Sequence, residues 1–173
     1  MTTLSNRLAW PALLSAGTVG GTLLAACMFP FGAFAAVAAL TMDLRRGLMA
    51  VGAVWLANQI VGFGLMDYPT DPLTVAKGLA LLAASLCGYV AARAVAGHKA
   101  AIVAAPLLAF AGYEFSLWLL THLTGGLETF APEIVLMVAR NDLFWFAGLM
   151  AARFLLTRTA PALFGRQTTL QPA

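Results

Sequence analysis

The sequence contains very little charge. Only 10% of its 173 residues are Asp, Glu, Lys or Arg, against roughly 25% in an ordinary soluble domain. Because 61% of the residues are hydrophobic, a soluble fold of this size would lack enough polar residues to cover its surface. Intrinsic disorder is excluded as well, since it requires low hydrophobicity and high charge. The composition therefore predicts an integral membrane protein.

The motifs of common enzymes and metal sites are also lacking. The sequence has no GxSxG, P-loop or HExxH motif, and its two cysteines, Cys27 and Cys87, form no CxxC pair. The Lys and Arg residues are scattered, so no basic stripe favours a nucleic-acid partner. We expect no enzymatic activity, no metal site, no cofactor required for folding and no nucleic-acid partner.

Apolar segments alternate with short polar breaks along the whole chain. A membrane-spanning helix needs about 20 mostly apolar residues, so the chain is predicted to be a single all-α domain, a bundle of six transmembrane helices. The predicted helices cover about 9–27, 29–42, 47–66, 73–95, 100–123 and 141–157, followed by a loosely ordered tail at 158–173.

Two segments leave alternatives open. Helix two is short and follows Pro30, which favours a break, so helices one and two could instead form a re-entrant hairpin. The stretch 129–140 is either a separate helix that acts as a lid or the beginning of a long sixth helix. Pro132 suits the first turn of such a helix, and Glu133 would lie near its positive end.

The charged residues are distributed asymmetrically over the predicted loops. Basic residues flank the termini and alternate loops: Arg7, Arg45, Arg46, Arg93, Lys99, Arg158 and Arg166. Lys and Arg accumulate on the cytoplasmic side of membrane proteins. We therefore expect both termini to be cytoplasmic, in a multi-pass protein of a bacterial inner membrane.

Polar and aromatic residues concentrate in the outer halves of the predicted helices and in the outer loops. The candidate ligand-binding residues are Asn58, Gln59, Asp67, Tyr68, Tyr113, Glu114, Trp118, His122, Asp142 and Trp145. Polar groups within a bilayer are costly unless satisfied, and the i, i+4, i+8 spacing of Glu114, Trp118 and His122 places them on one helix face. The pattern predicts an outward-facing cavity for an organic ligand. Helix-to-helix hydrogen bonding and interfacial anchoring are the alternative interpretation.

The first helix carries a face of small residues. Ala12, Ala16 and Gly20 recur at every fourth position, a spacing that allows close contact between helices in a membrane. The face is either a docking surface for another membrane subunit or an internal packing surface of the bundle.

One stretch resembles a known family. The segment from Trp55 to Gly64, with Asn58 and Gln59 at its centre, is followed by Asp67-Tyr68-Pro69. Together with the six predicted helices and the small face of the first helix, this segment resembles the S components of energy-coupling factor transporters. Within that group it is similar to the cobalamin-specific members of Gram-negative bacteria.

The resemblance implies a substrate-binding membrane subunit for vitamin uptake. Its transported ligand would be cobalamin or a related corrinoid, and its partners would be a membrane coupling subunit and cytoplasmic ATPases. Some members of the cobalamin group use a cysteine near the third loop as a cobalt ligand. This chain has no cysteine between Cys27 and Cys87, so that ligand is not carried over, and Asp67 or Tyr68 occupies the neighbourhood.

Two other classes of function remain open. The chain could be a scaffold protein of envelope assembly, in which the polar residues only join helices. It could also be a small ion- or proton-coupled carrier with Glu114 and Asp142 as the titrating pair, because intramembrane acids serve in proton relays.

The predicted topology can be tested by labelling single cysteines from either side of the membrane. In a background with Cys27→Ala and Cys87→Ala, Thr70→Cys should react with an impermeant thiol reagent from outside, and Gly97→Cys only from the cytoplasm. The positive-inside charge pattern requires these two loops to lie on opposite sides. Labelling of both from the same side would contradict the six-helix topology.

Overall fold

The computed structural model describes residues 2–25 and 29–161. Over these residues the protein is helical and contains no strand. The helices are α1 (Thr2–Ala25), α2 (Phe31–Thr41), α3 (Leu44–Leu65), α4 (Pro72–Val95), α5 (Ala101–Thr124) and α6 (Pro132–Thr159), and a short 3₁₀ helix, η1 (Leu127–Phe130), lies between α5 and α6.

Four of these helices, α3 to α6, are long and apolar enough to cross a membrane. The apolar helix α2 has only 11 residues and is therefore about 16 Å long, whereas the hydrocarbon core of a bilayer is about 30 Å thick. The described part of the chain is thus all-α and contains four candidate membrane-spanning helices, as expected of a multi-pass membrane protein. Cys27 and the tail beyond residue 161 lie outside the described residues.

The predicted start of the sixth helix at residue 141 was wrong, because α6 begins at Pro132. Proline suits the first turn of a helix, where no amide hydrogen is needed for the helical ladder, and Glu133 adds a negative charge near the positive end. The interpretation of 129–140 as the beginning of a long sixth helix is confirmed for residues 132–140. As a consequence, Asp142 lies about three turns inside α6 and not at its end.

Helix α2 forms the centre of the bundle. It packs against α3, α4, α5 and α6, and nine of its 11 residues are buried. Its sequence, FGAFAAVAALT, is apolar on every side, as expected of a helix enclosed by protein. The many alanines allow the surrounding helices to approach closely.

The C-terminal end of α2 is stabilised by side chains from its neighbours. Arg93 on α4 donates hydrogen bonds of 2.8 Å to the carbonyl oxygens of both Ala39 and Met42. A cation at this end also complements the negative pole of the helix dipole. Trp10 on α1 donates from Nε1 to the Thr41 hydroxyl at 3.0 Å, so α1 is joined to the same end.

Close helix contacts fix the positions of α3, α4 and α5. A Cβ atom added at Gly88 on α4 would lie 2.7 Å from the carbonyl oxygen of Ala109 on α5, so only glycine permits this approach. Trp55 on α3 donates from Nε1 to the Gly78 carbonyl on α4 at 2.7 Å. These contacts fix the positions of α3, α4 and α5 around α2.

Two glycines of α3 provide a matched test of this packing. A Cβ at Gly47 would overlap the Tyr89 ring, with Cε2 only 2.6 Å away, whereas a Cβ at Gly52 meets nothing within 4 Å. We expect Gly47→Ala to lower the free energy of unfolding by about 1–3 kcal/mol, the usual cost of overpacking. Gly52→Ala should leave it unchanged or slightly higher. Unfolding equilibria in detergent measure both variants, and equal stabilities would contradict the observed α3–α4 contact.

Candidate functional site

A cavity lies beyond the N-terminal end of α2. Because α2 is shorter than α3, α5 and α6, these helices continue past it and enclose a space of ≈ 410 Å³, within the range of small-molecule sites. The lining residues are Phe29, Phe31, Asn58, Val61, Gly62, Met66, Tyr68, Leu81, Tyr113, Glu114, Leu117, Thr129, Phe130, Ile134, Val138 and Asp142. The α3–α4 loop and η1 lie at the same end of the bundle as this cavity. We call this end the η1 end.

Three aromatic rings line the cavity beside α2. The Phe31 ring is stacked on Tyr113 with centroids 6.0 Å apart, and Phe29 lies 4.7 Å from Phe31 in a tilted arrangement. Phe31 and Tyr113 are both buried. Aromatic rings of this kind provide large apolar contact area and negative ring faces.

Asp142 is the most buried polar group of the cavity, with only 6% of its surface exposed. Its carboxylate lies against the first turn of α2, where the backbone amides of Gly32 and Ala33 face it. A Cβ at Gly32 would overlap Asp142 Oδ2, so glycine is required for this approach. Neither carboxylate oxygen has a partner with good hydrogen-bond geometry among the described residues.

The α3–α4 loop places Tyr68 at the rim of the cavity. Asp67 adopts a left-handed backbone conformation with φ of 52°, which Asp tolerates better than most residues. The turn brings the Tyr68 ring onto α3, where a Cβ at Gly62 would lie 2.9 Å from Tyr68 Cδ2. Asp67 itself does not line the cavity, so its contribution is to position Tyr68.

The structure brings five of the ten predicted ligand-binding residues into one cavity: Asn58, Tyr68, Tyr113, Glu114 and Asp142. They come from α3, the α3–α4 loop, α5 and α6. The sequence had predicted similar depths for side chains from these segments. Whether they bind a ligand stays a prediction.

The remaining predicted residues lie elsewhere. Gln59 packs against Gly78 on α4, and Trp145 packs at the edge of the apolar core. Trp118 and His122 are exposed on α5, with ring centroids 4.5 Å apart. Although they share a spacing with Glu114, they do not line the cavity. Their position is typical of aromatic residues at a membrane interface.

Several cavity residues were absent from the sequence prediction. Phe130, Ile134 and Val138 line one wall, and they were missed because the sixth helix was predicted to begin at residue 141. Ile134 and Val138 lie four positions apart on α6, a spacing that a longer predicted helix would have made visible, whereas Phe130 ends η1. Phe29 and Phe31 were missed because apolar residues at the start of a short apolar helix have the same sequence pattern as ordinary core residues.

A second, almost wholly apolar cavity of ≈ 330 Å³ lies on the other side of Asp142. Its walls come from α5, α6 and Ala33 of α2, and three of the five α5 residues that line it are exposed at the bundle surface: Ile102, Val103 and Leu107. Asp142 lines both cavities. The Asp142 carboxylate therefore lies between a cavity that has several polar side chains in its lining and a lateral cavity that is almost wholly apolar.

Comparison with known proteins supplies no relative. No family model, curated protein or solved structure matches the chain.

Proposed function

We propose that the protein is a membrane substrate-binding subunit that captures a small organic compound and supports its uptake. The observation that carries this proposal is the cavity of ≈ 410 Å³, which joins aromatic rings to five convergent polar side chains. A largely apolar cavity with a few oriented polar groups is the usual form of a small-molecule site.

The charge distribution supports an orientation for this site. Four basic residues border the connections at the opposite end: Arg45, Arg46, Arg93 and Lys99. The loops of the η1 end contain no Lys or Arg, and Lys77 and Arg140 lie within α4 and α6. By the positive-inside rule the η1 end faces outward, so the cavity would take its ligand from outside. In this proposal the chain passes six times between the two faces of the membrane, first through α1 and then through the short α2, which longer helices enclose. Both termini are cytoplasmic, and the protein resides in a bacterial inner membrane.

The resemblance of the segment 55–69 to cobalamin-specific S components makes a corrinoid the first ligand to test. Asn58 and Tyr68 from this segment line the cavity, which supports a role of the segment in binding. A corrinoid is larger than a space of ≈ 410 Å³, so only one edge of its ring and its amide arms would enter.

The small face of α1 supports a partner subunit. Ala12 and Ala16 are exposed, and a Cβ added at Gly20 meets no atom within 4 Å. Of the two interpretations of this face, the exposure favours docking over packing within the bundle. The partners would be a membrane coupling subunit and cytoplasmic ATPases, which drive reorientation and inward release.

Ligand binding can be tested with four variants of the purified protein. Asn58→Ala, Glu114→Ala and Asp142→Ala should each weaken corrinoid binding by about five- to 150-fold, since a lost hydrogen-bond partner at a buried site costs about 1–3 kcal/mol. Trp118→Ala is the control, because Trp118 lies outside the cavity. Equilibrium binding measures the effect and thermal melting reports folding. Equal affinity in all four folded variants would place the ligand elsewhere.

Docking can be tested by adding bulk to the exposed face of α1. Ala16→Leu and Gly20→Leu should reduce co-purification with a membrane partner while ligand binding is retained, because larger side chains prevent close helix contact. Leu13→Ala, at another exposed position of α1, serves as the control. Complexes that survive both leucine substitutions would favour a surface that only contacts lipid.

One further observation favours an ion- or proton-coupled carrier as the second candidate. Glu114 and Asp142 line the same cavity, and ionisable groups inside a membrane often serve in ion or proton pathways. A proton gradient that drives uptake into proteoliposomes without any partner subunit would support this second function. The scaffold alternative has no such observation in its favour.

A further inference from the structure

We infer that the group which enters the cavity is positively charged, and that the ligand is an organic cation with a compact apolar or aromatic body. This inference rests on the proposed function and names the chemical class that the same site selects. Four features of the cavity carry it: its charge, the unpartnered carboxylate, the aromatic walls and its size.

The described residues that line the cavity include acids and no base. Glu114 and Asp142 are the two carboxylic acids among these 16 described residues, none of which is Lys, Arg or His. An anionic ligand would therefore meet two carboxylates without a compensating cation. Like charges brought together in a poorly solvated space repel strongly, so the lining disfavours anions and favours cations.

The described residues that line the cavity supply no counter-ion for the Asp142 carboxylate. Arg93 binds the opposite end of α2, about 16 Å away along the helix, and Arg153 lies a similar distance further along α6. The α2 amides that face the carboxylate supply a partial positive charge, but neither oxygen has a partner with good hydrogen-bond geometry among the described residues. A buried charge is costly unless it is paired, and a ligand cation would pair it.

The aromatic walls complement such a cation. Phe29, Phe31 and Tyr113 form a continuous group of rings, and all three line the cavity together with Asp142. The face of an aromatic ring attracts ammonium groups within about 6 Å. A carboxylate beside a set of rings is therefore a suitable receptor for an alkylammonium or aromatic ammonium group.

The available donors favour an organic cation over a metal ion. The described residues contain no group of three or more His, Cys, Asp or Glu side chains that could hold a metal. Hard divalent cations require about six oxygen ligands, whereas much of this lining is aromatic or aliphatic. The volume of ≈ 410 Å³ leaves room for an apolar body beside the charged group.

The test compares three soluble compounds that share a phenyl-CH₂ body and differ in charge. The probes are benzyltrimethylammonium, neutral N,N-dimethyl-2-phenylacetamide and anionic phenylacetate, measured by equilibrium binding to the full chain in lipid nanodiscs. We expect the cation to bind about tenfold or more tightly than the neutral amide, with the anion weakest, because the two carboxylates and the ring faces attract a positive charge in a poorly solvated space. Equal affinities, or tighter binding of the amide, would overturn the inference.

Isosteric variants then assign the selectivity to the cavity. Asp142→Asn should weaken binding of the cation by about tenfold and that of the amide by less than about threefold. Glu114→Gln should act in the same direction and serves if the first variant does not fold. Glu128→Gln removes an equal charge from an exposed position outside the cavity and should have no effect. Loss of affinity in this control alone would overturn the assignment.

The outcomes separate this inference from the proposed function. If a corrinoid or the neutral amide binds through the cavity while the ammonium compound does not, the inference fails and the ligand-binding function stands. If neither the three probes nor a corrinoid binds to the folded protein, both fail.

Discussion

The rest of the structure depends on a helix that is too short for the bundle that surrounds it. Helix α2 has 11 residues and is enclosed by four longer helices, so side chains of those helices reach both of its ends. Helix ends carry backbone groups without helical partners. Arg93 supplies hydrogen-bond donors for the C-terminal carbonyls, and the Asp142 carboxylate faces the N-terminal amides. The two charges match the two poles of the helix dipole.

The same length difference creates the candidate site. Beyond Phe31 the longer helices have no central helix to pack against, and the remaining space is the cavity. Close contacts at Gly32 and Gly62 permit Asp142 and Tyr68 to approach it. The cavity is therefore a consequence of helix lengths and of small residues at specific contacts, while the polar side chains around it give it chemical character.

Asp142 takes part both in the packing around α2 and in the lining of the candidate site. An ionisable group within a membrane bundle is costly, and such groups are usually retained for transport or binding. Arg93 lies too far away to form an ion pair with Asp142, so the helix dipole of α2 complements the Asp142 charge only in part. This incomplete compensation is the physical basis of the proposed selectivity for a cation. Trp118 and His122, in contrast, are exposed on α5, where aromatic side chains suit the boundary between lipid and water.

Composition and hydrophobic runs were sufficient to predict a helical membrane protein, because bilayer insertion depends on local segments of about 20 apolar residues. Depth was predictable for Asn58, Tyr68, Tyr113 and Glu114, since position along a helix sets height in the bundle. Tertiary structure alone decided which of these side chains meet. Trp118 lies four positions after Glu114 on the same broad helix face, yet it lies outside the cavity. Residues four apart still differ by about 40° around the helix axis, so the packing of neighbouring helices decides which of them the cavity encloses. The burial of α2 depends on four helices that follow it along the chain, and the position of Asp142 against its first turn depends on a contact with Gly32, more than 100 positions away. No local pattern encodes such contacts.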